Sequence, residues 1–366
     1  MYRHLSIKEI LDDLDLALPD LSDRCVTSSG VSQAKERLGP EAMRWLFDVS
    51  ARAWHSEEPD KYLFHGMTLL AMDGTVLRLA DSAAIREHFG AQNYPDNKVG
   101  SYPQARGVTL TAVPTHLMLD AKFSAYKTSE MELAKELVTS IPGNSLTIFD
   151  RGFLSAELLC QLVSGGADRQ FLIPAKRNTK WKLIEGSDVD GLVEMETSAP
   201  AMKRDPTLPA TWRARAIKIP DAKGDIAYLL TSLTDGKRVK AKDLIACYFR
   251  RWEIETAYRE LKHAMLGSAH TLRSVTVEGV QQEGEVAIDA SEGGVPGMHD
   301  EEPHHAHGHL HHLVGMRVVH ESAGFFHRVF VDKSLPRLDL GLRQAAHSIH
   351  AGRQQHAVPV NRGVLG

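Results

Sequence analysis

Cysteine is scarce in this chain: Cys25, Cys160 and Cys247 are the only three in 366 residues, odd in number and far apart. That excludes a disulfide framework and points to reduced thiols in a cytosolic setting. Long hydrophobic runs are missing too. No stretch of about 18 apolar residues occurs, so no membrane-spanning helix is expected. The opening Met1-Tyr2-Arg3-His4-Leu5 leads into an amphipathic segment, not the pattern of a signal peptide. Excess positive charge is also absent. The net charge of -4 argues against a uniformly basic nucleic-acid-binding domain and leaves only local clusters to consider.

What is present is an ordinary globular composition, 43% apolar, in a length sufficient for two or three domains. Two basic clusters stand out. Lys176, Arg177, Lys180 and Lys182 surround Trp181, while Lys237, Arg238, Lys240 and Lys242 precede a helical stretch. Either suits phosphate contacts, and a solvated loop explains them equally well.

Residues 1–60 read as helical: Ser6 to Leu16, then Val31 to Leu38 capped by Ser28 or Ser29 and stopped at Gly39-Pro40, then Glu41 to Ala53. A helix-turn-helix DNA reader has this size, but plain helical packing is the commoner outcome. Residues 61–176 mix strands with helices. Met67 to Leu79 is a strand pair or one long strand interrupted at Asp73-Gly74. Val108–Val113 and Leu117–Phe123 form a hairpin. Ser129 with Glu132 makes a capping box, Ser145–Phe149 is a buried strand, Ser155–Val163 a helix and Gln170–Pro174 a further strand. Antiparallel strands followed by strands alternating with helices predict a mixed sheet in an α/β fold. Residues 177–236 read as a β-rich insertion with strands at Trp212–Ile219 and Ile226–Leu230. Residues 241–266 read as one long helix closed by Gly267.

The tail differs from the rest. Twelve of the 19 histidines follow residue 283, with a single lysine, Lys333. His304, His305, His307, His309, His311 and His312 cluster without the spacing of a zinc site. An irregular exposed tract is the expected reading.

Chemistry concentrates at three acids and a helical strip. Tyr248, Arg251, Glu255 and Lys262 have offsets of 0, 3, 7 and 14. On one helix they share an arc of roughly 60°. Charge of this kind is costly to bury unless something charged lies opposite. Asp73 emerges from the apolar Leu69-Leu70-Ala71-Met72, and Asp150 ends Leu146-Thr147-Ile148-Phe149, at the strand end where α/β sheets place ligands. Alone, Asp73 is a turn residue, Asp150 a cap and Glu255 a surface acid. Together they are the hard oxygen ligands that Mg²⁺ prefers. Two such ions about 4 Å apart can hold the attacking and leaving oxygens of a phosphodiester. Arg251 and Lys262 would face phosphates. Trp252 and Ile254 are expected to pack the core instead.

At these residues the chain resembles the bacterial insertion-sequence DDE transposases of the insertion-sequence-four group. Tyr248-x2-Arg251-x3-Glu255-x6-Lys262 matches that family's Tyr-Arg-Glu-Lys signature. Asp73-Gly74-Thr75 and Asp150-Arg151-Gly152-Phe153 look like its first two aspartate motifs. The resemblance covers about residues 1–283. It implies a ribonuclease-H-like core (61–176 plus 237–283) with flanking helices, the β-rich insertion and a helical N-terminal region cut short at its DNA-binding part. It implies two Mg²⁺ ions, for which Mn²⁺ can substitute, held by Asp73, Asp150 and Glu255. Tyr248, Arg251 and Lys262 would contact DNA, with Lys176 and Arg177 as further contacts. The partners implied are double-stranded DNA, both terminal inverted repeats and target, and a second copy of the chain, in a cytoplasmic, nucleoid-associated setting. Where the family continues with an apolar helix, this chain turns polar at Gly284. Residues 284–366 are therefore expected to be frameshifted and not natively folded. A nuclease without strand transfer and a DNA-binding remnant stay open beside the transposase reading.

Overall fold

Continuous apolar strands need cover on both faces, and the first strand shows this directly. The computed structural model describes residues 28–56, 63–94, 98–219, 227–259 and 271–292. Helix α1 (Ser28–Ser56) leads in, kinked where Gly39 adopts a positive φ of 72° before Pro40. Strand β1 (Thr68–Arg78) follows as one uninterrupted strand through Asp73-Gly74. Then come α2 (Ala83–Phe89), the short β2 (Asn93–Tyr94) and β3 (Lys98–Val99), and the hairpin of β4 (Gln104–Ala112) and β5 (Met118–Ala125). Helix α3 (Glu130–Leu137) starts at the expected capping box of Ser129 and Glu132. Strand β6 (Ser145–Phe149), α4 (Ala156–Ser164) and β7 (Arg169–Pro174) complete the βαβ part.

The strand order is β5-β4-β1-β6-β7. β4 is antiparallel to both neighbours, whereas β1, β6 and β7 run parallel. That is the mixed sheet of the ribonuclease-H-like arrangement. Its two faces carry separate cores, as the period-two alternation of a strand requires. Leu69 and Ala71 join Phe47, Ile85, Leu244 and Tyr258 on one side. Leu70 and Met72 join Leu133, Leu137, Leu158 and Leu162 on the other.

The insertion does not fold as a separate sheet. β8 (Lys182–Gly186), β9 (Asp190–Glu196), α5 (Ala199–Arg204), β10 (Thr211–Lys218) and β11 (Tyr228–Thr231) extend the core sheet to nine strands, in the order β7-β11-β10-β9-β8. β11 joins β7 antiparallel, with Leu230 opposite Ile173. Arg215, nearly fully buried, forks onto Asp190 at 2.6 and 2.7 Å and donates to the Val239 carbonyl at 2.8 Å. That fork ties the insertion to the segment that starts the next helix, α6 (Ala241–Phe249).

The expected single helix over 241–266 is not what forms. α6 stops at Phe249 and α7 (Trp252–Arg259) begins three residues later. The N–H groups of Arg250 and Arg251 bond three residues back, to Cys247 and Tyr248 at 3.1 and 3.0 Å, and Glu253 bonds Arg250 at 2.9 Å. This tighter winding breaks the α register with no Gly or Pro to mark it. Trp252 is consequently 62% exposed and Phe249 51%, so Trp252 is not core as its spacing suggested. The side chain of Ile254, and Lys262 with the rest of that expected helix, lie outside the described residues.

Helix α8 (Val277–Glu292) runs through Gly284, nine residues past the expected boundary of the polar tract. Gln282 donates to the Lys35 carbonyl of α1 at 2.9 Å. The histidine cluster and the first helix, Ser6 to Leu16, fall outside the described residues.

Candidate active site

Strand register brings the two aspartates together. Met72 and Phe149 are paired in the parallel β1–β6 ladder, so the next residue on each strand is the acid. Adjacent strands lie about 4.8 Å apart. β6 is buried throughout. It ends at Asp150, whose carbonyl accepts from the Phe153 N–H at 3.0 Å in a single turn of 3-10 helix. Phe153 is buried and packs 6.1 Å from Phe149, which fixes the loop that carries Asp150.

Asp73 is held more tightly. One carboxylate oxygen accepts from the Gly74 N–H at 2.8 Å and the other lies 3.5 Å from the Arg251 guanidinium. Its side chain is 19% exposed. Burial pushes its pKa up to about 6, against the Gly74 N–H and Arg251, with the charges of Asp150 and Glu130 adding to the rise. The Arg251 contact is long for a charge-assisted bond, so desolvation prevails.

Arg251 sits at the break between α6 and α7 and faces one acid of the strip, Glu255, and one of β1, Asp73. It bonds Glu255 at 3.2 Å as well as Asp73. Burial opposes its charge, yet Tyr248, Asp73, Glu255 and Asp150 together raise its pKa above the ordinary value. Tyr248 is buried, which raises its phenol pKa against the pull of Arg251. Glu255, 44% exposed, points to Arg251 rather than to the aspartates.

Tyr258 and Glu130 complete the site and escaped sequence reasoning. The Tyr258 hydroxyl donates to the Asp73 carbonyl at 2.7 Å and shares a 2.8 Å bond with Thr109. Full burial raises its pKa far above the ordinary phenol. One turn after Glu255, it hooks that helix to the strand bearing Asp73. Its signal was an aromatic ten residues after Tyr248, about 20° outside the strip. Glu130, at the start of α3, lies directly over Gly74. A Cβ there would stand 2.5 Å from its carboxyl carbon, so any larger residue would push the Glu130 carboxylate aside. No spacing in the sequence links positions 74 and 130.

Of the remaining predicted residues, Lys176 and Arg177 are exposed just past the C-terminal end of β7. Lys176 donates to the Leu154 carbonyl at 3.3 Å, which puts it on the loop after Asp150. Its neighbour Trp181 packs edge-on to Tyr228 at 5.2 Å. In the second basic cluster, Arg238 pairs with Asp168 at 3.2 Å.

The acid pair has the properties of a cation site. A desolvated carboxylate beside a second acid is poorly stabilised without positive charge, and a guanidinium fills that need here. Asp73 and Asp150 therefore fit a divalent ion through hard oxygen donors. Glu255 does not complete the set in this arrangement. Among the described residues no three His, Cys, Asp or Glu side chains are grouped closely enough to hold a metal.

Two acids at neighbouring parallel strand positions, with a third on a helix hooked to the first strand, define an acid-based site on a ribonuclease-H-like sheet. Residues 64–288 match the transposase DDE domain, and the chain belongs to that family. Residues 1–48 match the N-terminal domain of insertion element 4 transposases. Over 278 residues the chain is 36% identical to the transposase InsG for insertion sequence element IS4 of Escherichia coli K12, covering 76% of this chain and 62% of that protein. It is also 36% identical over 157 residues to the putative transposase InsZ of the same strain, covering 43% and 52%. The chain thus spans between half and two thirds of the length of these curated relatives. A piggyBac transposase synaptic complex with hairpin DNA shares 11% identity at a TM-score of 0.37, covering 81% of this chain and 59% of that one, too slight a likeness to inform the site. The DDE domain implies use of a divalent metal.

Proposed function

We propose that this chain catalyses transposition of an insertion sequence, cutting phosphodiesters at the element ends and joining the freed ends to target DNA. The observation that carries this reading is the Asp73–Asp150 pair, set side by side by the β1–β6 register with Arg251 facing Asp73. Asp73 and Asp150 would hold Mg²⁺, or Mn²⁺ in its place, with Glu255 joining them once released from Arg251. Two such ions would stabilise the attacking and leaving oxygens of an in-line displacement.

The chain's own residues supply grip and alignment. Arg251 presents a fork that suits a phosphate, and the buried Tyr248 lies beside it. Lys176 and Arg177 extend positive charge along the same edge of the sheet. In the first step water attacks phosphorus and the P–O3′ bond breaks, leaving a 3′-hydroxyl and a 5′-phosphate. In the second, that hydroxyl attacks a target phosphodiester: one P–O bond forms as the target's P–O3′ bond breaks, the attacking hydroxyl giving up its proton and the leaving 3′-oxygen taking one up. Bond count is conserved, so no energy-carrying co-substrate is required. The substrates are the terminal inverted repeats and target duplex, a second copy of the chain would bring two ends together, and the setting is cytoplasmic at the nucleoid. No helix among the described residues is long and apolar enough to cross a membrane.

A gel assay with labelled element-end DNA and Mg²⁺ tests this. Strand-transfer product supports it, nicks alone favour a nuclease, and a shift without cleavage favours a binding-only protein. If Glu255→Ala left cleavage intact, the assigned acid set would be wrong.

A further inference from the structure

The face of the sheet opposite the helical strip carries a second feature. Gly74, Val76 and Arg78 alternate onto one face of β1, and Arg106 of β4 stands opposite Val76. Cross-strand partners project to the same side, so Arg78 and Arg106 are diagonal neighbours there. Each is stacked on a tyrosine. The Arg78 guanidinium lies 3.7 Å from the Tyr102 ring centre and that of Arg106 lies 4.5 Å from Tyr126. Among the described residues neither arginine has a carboxylate partner, and the buried Nε of Arg106 has no hydrogen-bond acceptor.

Structural arginines in this protein are used differently. Arg215 and Arg86 each fork onto an aspartate, and Arg44 pairs with Asp120 and Asp48. A guanidinium held over an aromatic ring without an acid leaves its terminal N–H donors without a carboxylate. Two of them side by side suit the successive phosphates of a nucleic-acid backbone. Their position adds direction: Gly74, on the same face, adjoins Asp73, and two residues of strand span about 7 Å. Glu130 lies over Gly74 on that face, at the end of the ledge nearer Asp73.

We propose that Arg78 and Arg106, shelved on Tyr102 and Tyr126, form a second phosphate-binding ledge that grips DNA flanking the reacting phosphodiester. This rests on the transposase reading and adds a contact that its signature does not contain. DNA is then held from both faces of the sheet, by Arg251 on one and the ledge on the other.

The test is salt-dependent binding of the full chain to a random-sequence duplex oligonucleotide by fluorescence anisotropy. Counterion release gives a slope of about -0.9 per phosphate contacted in log K against log salt. R78Q/R106Q is expected to reduce the slope by about 1–2 and to weaken binding roughly tenfold at 0.1 M salt, with an unchanged melt. R78Q alone, at an exposed position, should remove about one unit and guards against misfolding of the double variant. An unchanged slope in both variants overturns the ledge while leaving the transposase reading intact. Equal loss in R213Q, a control on the insertion, would reduce the effect to net charge and also overturn it. Wild-type protein with no DNA affinity at all would remove the function reading itself.

Discussion

The acids of this site are carried in two different ways. Asp73 and Asp150 are fixed by a β-ladder whose register admits no small adjustment, because a one-residue slip sends every side chain to the other face. Glu255 rides on a short helix after a break, exposed and bonded to Arg251. The strand acids are positioned by the core; the helix acid is positioned by one tyrosine hook and one ion pair. Preorganisation is thus strongest where two carboxylates must be held against their mutual repulsion. Freedom is left at the third, which on the proposed function would move from a guanidinium to a cation.

That contrast can be broken by measurement. The largest effect belongs to the strand side. Phe149→Ala, beneath Asp150, should cost about 3–5 kcal/mol in urea unfolding, whereas Trp252→Ala at the helix break should stay within about 0.5 kcal/mol. Equal losses would mean that both carriers are core-built.

Next is the strain in Asp73. Its pKa is raised from 3.8 to about 6, so the stability linked to its protonation is present below about 3.8 and lost as pH rises through about 6. In the presence of chelator, Asp73→Asn should be more stable than wild type by about 1–3 kcal/mol at pH 7.5. The gap should close toward pH 4. A variant less stable at pH 7.5 would show that the Arg251 contact outweighs burial.

Tyr258→Phe removes the hydroxyl that bonds Asp73 and Thr109, at a cost of about 1–2 kcal/mol. It should lower DNA cleavage by more than that loss of folded protein explains, because the helix bearing Glu255 loses its hook. Smallest is Glu255→Gln. A pair with this exposure contributes about 0.3–0.5 kcal/mol, so the melt should barely shift while cleavage fails.

Legibility in the sequence followed the same division. Buried strands such as Ser145–Phe149 and the capping box at Ser129 were readable because burial and capping act locally. Asp150 was readable as a strand-end acid and Asp73 as an acid emerging from an apolar strand, and the ordered motifs joined them to the helix strip. The break at Arg250–Arg251 was not, since hydrogen bonds to residues three back create it without Gly or Pro. Nor was Glu130, which meets Gly74 only through tertiary packing, nor Tyr258, whose partner is a backbone carbonyl far away in sequence. That the β-rich segment would extend the core sheet was equally hidden, because edge pairing between β11 and β7 leaves no mark on either strand's alternation.

That pairing gives the sheet a growing end. From β7 outward each added strand is antiparallel to the last, and the final one, β8, is exposed along its whole length with Lys182 and Glu185 on it. Charges on a terminal strand discourage accidental pairing with another chain, so extension stops there by design of the edge and not by enclosure. The insertion's strands all lie on the side away from β1, leaving the acid-bearing β1–β6 ladder in the sheet's interior. A scaffold built this way can gain or lose whole hairpins at its rim while the distance between its two aspartates stays the same.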